Sequence, residues 1–331
     1  MLVCLGRLSG LGVVGLGLAA CAGNPPDEAA QRNSARVLVI GVDGLRPDQM
    51  LAADAPRLQA LQAEGIHFPD ATNTWRPDAP SNGHSTPNWA ALLTGRLPGA
   101  TGLRVNGDLE RPDDPDRRVD DRSLSGDVVR TIFWHAKKGG AAASTAVFNT
   151  WWGIGLAEGT ILGRSAPYVD HHVLPGGEGD SSVRDVATAA ASARSLAKKG
   201  PELTFVHLGQ VDSAGHAYTY ESPETRAAIE RVDALVGTLL DAIASRPTRA
   251  DERWLVVVTS DHGGPDDGTN HADNGDVNTR RIPLILWGDD LPSRSLRTTG
   301  RLVDVAPTVL EWLGADVEGV PFDGVSLFER P

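Results

Sequence analysis

The chain has almost no cysteine: two in 331 residues, Cys4 and Cys21, both within the first 21 positions. The rest of the chain has no thiol for a disulfide framework, so its stability must come from a hydrophobic core, which a chain of this length can build. The same lack excludes thiolate-rich metal sites and leaves Asp, Glu and His as the only metal ligands to consider. Basic residues are in deficit, with 31 Lys and Arg against 43 Asp and Glu and a formal net charge of −12. That balance argues against a general nucleic-acid groove, although an acidic surface still allows a local metal site that binds an anionic ester. No apolar run reaches the roughly 20 residues that a membrane-spanning helix requires. Internal repeats and low-complexity tracts are also absent, which favours one domain over 36–331.

What is present begins with Arg7, an apolar and glycine-rich run from Leu8 to Ala20, Cys21, and then polar residues from Gly23 to Asp27. A short apolar run at the extreme N-terminus reads as a signal peptide over 1–20. Its ending, Leu18-Ala19-Ala20-Cys21, resembles the bacterial lipoprotein signal. The resemblance implies that Cys21 is lipidated and becomes the first residue, that 21–35 is a tether, and that the protein is membrane-anchored in a bacterial cell envelope. The alternative is a simple secretory signal cut near Ala20 or Ala22, giving a soluble exported protein.

After Arg36 the chain alternates apolar, β-branched runs with amphipathic stretches, the pattern of an α/β fold with a largely parallel central sheet covered by helices on both faces. Strands are expected at Val37–Ile40, Ser144–Phe148, Leu203–Leu208, Trp254–Thr259 and Ile282–Trp287. Helices are expected at Pro56–Glu64, Ser125–Lys138, Val183–Lys199, Glu221–Ser245 and Asp304–Leu313. Arg104 to Arg122 has no usable period and reads as a surface excursion. Asn149 to Ser182, headed by Trp151 and Trp152, is long for a connection and suits a lid or one wall of a pocket.

The stretch Gly83–Gly95, G-H-S-T-P-N-W-A-A-L-L-T-G, reads as a loop that hands Ser85 to the start of a short helix over Asn88–Leu93. Proline is favoured at the first helical position, and the unpaired N–H groups there favour an anion. The same S-T-P-N is also an ordinary capping sequence. Asp43, in G-V-D-G, and Asp261-His262, in S-D-H-G, stand at the ends of expected strands, where open α/β sheets bind ligands. Asp212 and His216, in D-S-A-G-H, are four apart, which lets both face one ion across a helical turn. His271, in N-H-A-D, follows in a loop. Carboxylates and imidazoles sharing a site fit zinc. His67, His84, His135, His171, His172 and His207 lie in no motif and read as structural.

Taken in order, strand-G-V-D-G, S-T-P-N-W, D-S-A-G-H, S-D-H-G and N-H-A-D resemble the alkaline phosphatase superfamily, and most of all its nucleotide pyrophosphatase/phosphodiesterase branch, the type I phosphodiesterases. D-V-A-P-T-V-L-E-W-L-G and F-D-G-V-S-L resemble the family's ending, so the likeness runs from Arg36 to Leu327. It implies an alkaline phosphatase-like fold with the metal site at the carboxyl edge of the strands. It also implies two divalent metal ions, as Zn²⁺. One is held by Asp212, His216 and His271. The other is held by Asp43, Asp261 and His262 with Ser85 as nucleophile, and Asn106, in R-V-N-G, holds a phosphoryl oxygen.

The activity implied is hydrolysis of a small phosphate ester, as a phosphodiesterase or nucleotide pyrophosphatase, through a phospho-serine. Asn106 and the Ser85 and Thr86 backbone N–H groups would bind the equatorial oxygens. No arginine stands beside these motifs to grip a dianion, which leans toward diesters. The diesterases usually have threonine where this chain has Ser85, and many follow it with an aromatic that stacks a nucleobase. Thr86 cannot stack, which leaves nucleotide preference open; Trp89, Trp151 and Trp152 are either replacement surfaces or core residues. The closest alternative is a phosphomonoesterase. A sulfatase would need a C/S-x-P-S-R pattern that S-T-P-N-W lacks, and a non-catalytic metal-binding lipoprotein would bind zinc without turnover.

Overall fold

A computed structural model describes residues 35–75, 83–109, 129–175, 180–272, 276–291 and 298–328. The signal, Cys21 and the tether up to residue 34 lie outside the described residues, and Ala35, expected as the end of the tether, opens β1. Its strands are β1 (Ala35–Val42), β2 (Ile66–His67), β3 (Thr145–Asn149), β4 (His171–Val173), β5 (Leu203–Leu208), β6 (Arg253–Thr259) and β7 (Leu284–Gly288). They form one sheet in the order β2-β7-β6-β1-β5-β3-β4. Only β7 runs against the others, pairing antiparallel with β6 and β2.

The helices are α1 (Pro47–Ala52), α2 (Pro56–Glu64), α3 (Ser85–Thr94), α4 (Pro98–Thr101), α5 (Ile132–Lys138), α6 (Ser181–Lys198), α7 (Gln210–Ala217), α8 (Pro223–Ala244), α9 (Val277–Arg280) and α10 (Val305–Leu313). Alternate residues of β1 enter two separate cores, as the period of a strand demands. Val37 and Val39 pack with α3, α5 and α10 on one face. Leu38, Ile40 and Val42 pack with α2, α7 and α8 on the other. Among the described residues no helix is long and apolar enough to cross a membrane.

Register explains how distant residues meet. Gly41 of β1 pairs with His207 of β5 on one side and Thr259 of β6 on the other. Asp43 and Asp261 therefore each stand two residues past the same rung, at the carboxyl edge of the sheet.

Three expected boundaries shift. The helix expected over Asn88–Leu93 starts at Ser85, with Pro87 as its third residue. Proline is tolerated there because the first-turn N–H groups have no partner within the helix. The helix expected from Ser125 begins at Ile132, because Arg130 and Thr131 are not helical and 125–128 lie outside the described residues. Asn149–Ser182 is not a plain loop: its described part forms two 3₁₀ turns, Trp152–Ile154 and Gly163–Tyr168, and the edge strand β4.

Candidate active site

The chain leaves β1 through Asp43 and turns at Gly44, whose φ is +73°. A Cβ there would lie 2.9 Å from Asp212 Cα, so glycine permits both the left-handed turn and the approach of α7. The Asp212 amide then donates to the Asp43 carbonyl at 3.1 Å. At the amino end of α7, the buried Asp185 carboxylate accepts the N–H groups of Gly209 (2.8 Å) and Gln210 (2.9 Å) and the hydroxyl of Thr150 (2.6 Å). These bonds fix the direction of a helix whose first turn carries Asp212. One turn further on, His216 Nε2 lies 3.4 Å from Asp212 Oδ2.

Three imidazoles are oriented alike. The Nδ1 atoms of His262, His271 and His216 lie 2.8, 2.8 and 2.6 Å from the carbonyl oxygens of Gly263, Gly83 and Thr269. A ring nitrogen that close to a carbonyl carries a proton, so each ring turns its Nε2 inward, the orientation found for metal-binding histidines. His216 Nε2 and His271 Nε2 consequently face one another at 3.1 Å. Two lone pairs at that distance repel unless a cation lies against both. The His262 and His271 rings stack, with centroids 3.6 Å apart.

The carboxylates are oriented just as selectively. Asp43 Oδ2 accepts from His207 Nε2 at 3.0 Å and from the Trp89 indole N–H at 3.2 Å. Its buried Oδ1 has no donor among the described residues and lies 3.3 Å from His262 Nε2. Asp261 Oδ2 is likewise buried without a donor and 3.3 Å from His262 Nε2. Asp212 Oδ1 accepts the Tyr220 hydroxyl at 2.5 Å and lies 3.6 Å from His271 Nε2.

Two groups of donors result, Asp212/His216/His271 and Asp43/Asp212/His262, with the donor atoms of each within 4.8 Å of one another. Asp212 belongs to both, and Asp261 adjoins the second through His262. Two orphaned carboxylate oxygens and three inward Nε2 atoms suit divalent cations bound through nitrogen and oxygen.

Electrostatics point the same way. Burial and the neighbouring Asp43 charge push Asp261 well above the usual carboxylate range. Burial opposes the charged form of Asp43 too, but the neighbouring His207 and His262 outweigh it and hold Asp43 low. Burial would lower His262, yet Asp261 and Asp43 raise it to about 10. Burial and then the His262 charge lower His271 to about 2.

Ser85, the first residue of α3, is buried with Oγ 3.3 Å from His262 Nε2. With Asp43, Asn106, Asp212, His216 and His271 it lines an open cavity of about 510 Å³. Asn106 begins a 3₁₀ turn over Asn106–Asp108 held by Asp108 Oδ2, which accepts the amides of Arg104 and Val105. Thr86, expected at the substrate surface, is instead fully buried. Its amide already donates to Asn106 Oδ1 at 2.9 Å, so it orients Asn106 and is not available to substrate.

The tryptophans divide. Trp89 is core, while Trp151 and Trp152 line the cavity. The absence of an arginine does not hold either, because Arg184 of α6 lines the same cavity. Sequence reasoning also missed His207, Tyr220 and Asp185. His207 sits within an apolar strand, and only its level with Gly41 signals a position beside Asp43.

Comparison with known proteins agrees with this architecture. Human ectonucleotide pyrophosphatase/phosphodiesterase 5 superposes with a TM-score of 0.65 at 15% identity, over 87% of this chain and 97% of that one. The fold is the alkaline phosphatase-like fold expected from the sequence. A 2,3-bisphosphoglycerate-independent phosphoglycerate mutase of Rhodopirellula baltica is 33% identical over 122 residues, which are 35% of this chain and 20% of the mutase. An uncharacterised pyrophosphatase/phosphodiesterase of Schizosaccharomyces pombe is 25% identical over 243 residues, 69% of this chain and 44% of that protein. The chain thus matches less than half the length of either curated relative. The sequence profile of one family, type I phosphodiesterase/nucleotide pyrophosphatase, matches residues 37–281, and the chain belongs to that family.

Proposed function

We propose that this chain is a metal-dependent phosphoester hydrolase of the phosphodiesterase or nucleotide pyrophosphatase type, with Ser85 as nucleophile. The observation that carries the reading is the convergence of three imidazole Nε2 atoms and three carboxylates beside one buried serine hydroxyl on the wall of an open cavity. A donor set of nitrogen and oxygen without sulfur favours two zinc ions, one at Asp212/His216/His271 and one at Asp43/Asp261/His262. When bound, such ions favour the alkoxide of a serine and neutralise charge on the attacking and departing oxygens.

Ser85 Oγ attacks phosphorus in line, its bond to phosphorus forming as the bond to the departing alcohol or phosphate breaks, and the serine is left phosphorylated. Water then attacks phosphorus and returns Ser85 to its hydroxyl form. At the start of α3 the Thr86 amide is engaged by Asn106 and Pro87 has no N–H, which leaves the Ser85 N–H as the backbone donor nearest the anionic phosphoryl. Asn106, with Oδ1 engaged by Thr86, presents its NH₂ group as a donor to an equatorial oxygen, a role in which losing one donor costs on the order of 10²-fold in rate. The family places diesters first, since the arginine argument for them has fallen.

Zinc-loaded wild type and Ser85→Ala, assayed on a phosphodiester, a phosphomonoester, a nucleotide and a sulfate ester, test the reading. It expects diester turnover in the wild type and loss of at least 10³-fold in Ser85→Ala with metal content unchanged. Undiminished turnover in the variant, or turnover of the sulfate ester alone, contradicts it. We also propose that Cys21 carries the lipid that holds the domain at a bacterial membrane. Cys21→Ser should then move the protein from the membrane to the soluble fraction, and unchanged membrane association would refute the anchor.

A further inference from the structure

The acidic residues of the cavity have a counterpart on its wall. Arg184, in the first turn of α6, is half-buried, and its Nη2 donates to Ser181 Oγ at 3.0 Å. Ser181 Oγ in turn lies 2.6 Å from Ser213 Oγ on α7. All three side chains line the cavity, and Arg184 is the one lysine or arginine among its described lining residues. The cavity therefore brings a guanidinium and two hydroxyls into the space that Asp43, Asp212 and the imidazoles also line, with Ser213 next to Asp212 in α7.

Metal ligands and Ser85 account for the carboxylates and imidazoles of the lining, and they leave Arg184, Ser181 and Ser213 without a part in the transfer itself. A guanidinium matches a carboxylate or phosphate through paired N–H donors, whereas a neutral substituent gains nothing from it.

We propose that Arg184, with Ser181 and Ser213, forms a subsite for a second anionic group on the substrate, carboxylate or phosphate. The preferred substrate is then a phosphoester that carries negative charge beyond the phosphoryl being transferred. The assignment rests on the phosphoester reading of the metal site. It makes Arg184 a specificity residue: it contacts the substrate but not the reacting atoms.

The test uses three diesters with one leaving group and a second substituent that ends in methyl, carboxylate or phosphate. Each is assayed on zinc-loaded wild type, Arg184→Met and Arg184→Lys. Wild type should prefer a charged substituent to the neutral one by at least about tenfold in kcat/KM, the effect of one charge-assisted hydrogen bond. Arg184→Met should bring that ratio close to one, and Arg184→Lys should restore part of it. The carboxylate and phosphate arms show which anion fits. An absent preference in wild type, or a ratio that Arg184→Met leaves intact because all three substrates slow alike, overturns the proposal; the latter would place Arg184 on the transferred phosphoryl.

A binding arm does not depend on turnover. Calorimetry on zinc-loaded Ser85→Ala should find 3-phosphonopropionate bound at least about tenfold more tightly than methylphosphonate, with the difference lost on adding Arg184→Met. Equal affinities overturn the subsite. A retained difference without turnover of any ester would leave the subsite standing and remove the hydrolase reading instead.

Discussion

Replacing His207 with leucine isolates the support of one proposed metal ligand without touching the proposed ligands themselves. Asp43 Oδ2 accepts two hydrogen bonds, from His207 at 3.0 Å and Trp89 at 3.2 Å, and these leave Oδ1 pointing at His262. Leucine is close to imidazole in volume and fills the same fully buried space, so the fold should persist. The carboxylate loses one of its two donors. A hydrogen bond to a charged group is worth about 1.5–3 kcal/mol, which at about 1.4 kcal/mol per decade is roughly 10- to 150-fold in affinity. Loss of a residue that orients a metal ligand independently gives about 10- to 100-fold. The two estimates agree, so zinc at the Asp43/Asp261/His262 group should bind at least tenfold more weakly. Zinc titration against a competing chelator, with circular dichroism as a check on folding, measures this. A folded His207→Leu that binds both zinc equivalents as tightly as wild type would refute the argument that Asp43 is aimed by its neighbours.

Three further predictions test the scaffold. Gly44→Ala should lower zinc content and stability together, because a side chain at φ +73° costs about 1–2 kcal/mol and its Cβ meets Asp212 Cα at 2.9 Å; unchanged metal content would count against it. Asp185→Asn should destabilise by about 1–3 kcal/mol and weaken zinc at Asp212/His216/His271, since an amide cannot accept all three donors that meet the carboxylate. Thermal melts and zinc titration read both effects, and a neutral outcome would show that α7 is held elsewhere. Burial opposes ionisation of Glu252, but Arg246, Trp254 and Thr248 outweigh it and hold the carboxyl at about 2, below its ordinary 4.5. Its stabilisation is therefore complete above pH 4.5 and lost as pH falls toward 2. Denaturant unfolding of Glu252→Gln should show a shallower acid loss than wild type over that window, and parallel curves would refute the assignment.

The sequence made the edge of the sheet legible because strand ends and helical spacing are local. Asp43 and Asp261 were visible as carboxylates at the ends of apolar runs, and Asp212 with His216 as a pair one turn apart. What was hidden depends on pairing between distant strands. His207 and Asp43 become neighbours only through the β1–β5 register, and Asp185 reaches the start of α7 from another helix. Arg184 lies in an alanine-rich helix whose sequence shows no link to the cavity. The start of α3 was misplaced for a local reason: proline fits any first-turn position, so Pro87 did not mark which residue came first. Asn106 is visible in the sequence as R-V-N-G, but its partnership with the Thr86 amide is not, since no spacing reveals it.

The most direct measurement is anomalous scattering at the zinc edge from crystals of the zinc-loaded protein. The account predicts two peaks. One should lie among Asp212, His216 and His271, and the other among Asp43, Asp261 and His262 with Ser85 Oγ in its coordination sphere. A single peak, or two peaks with Ser85 Oγ bound to neither, would contradict it.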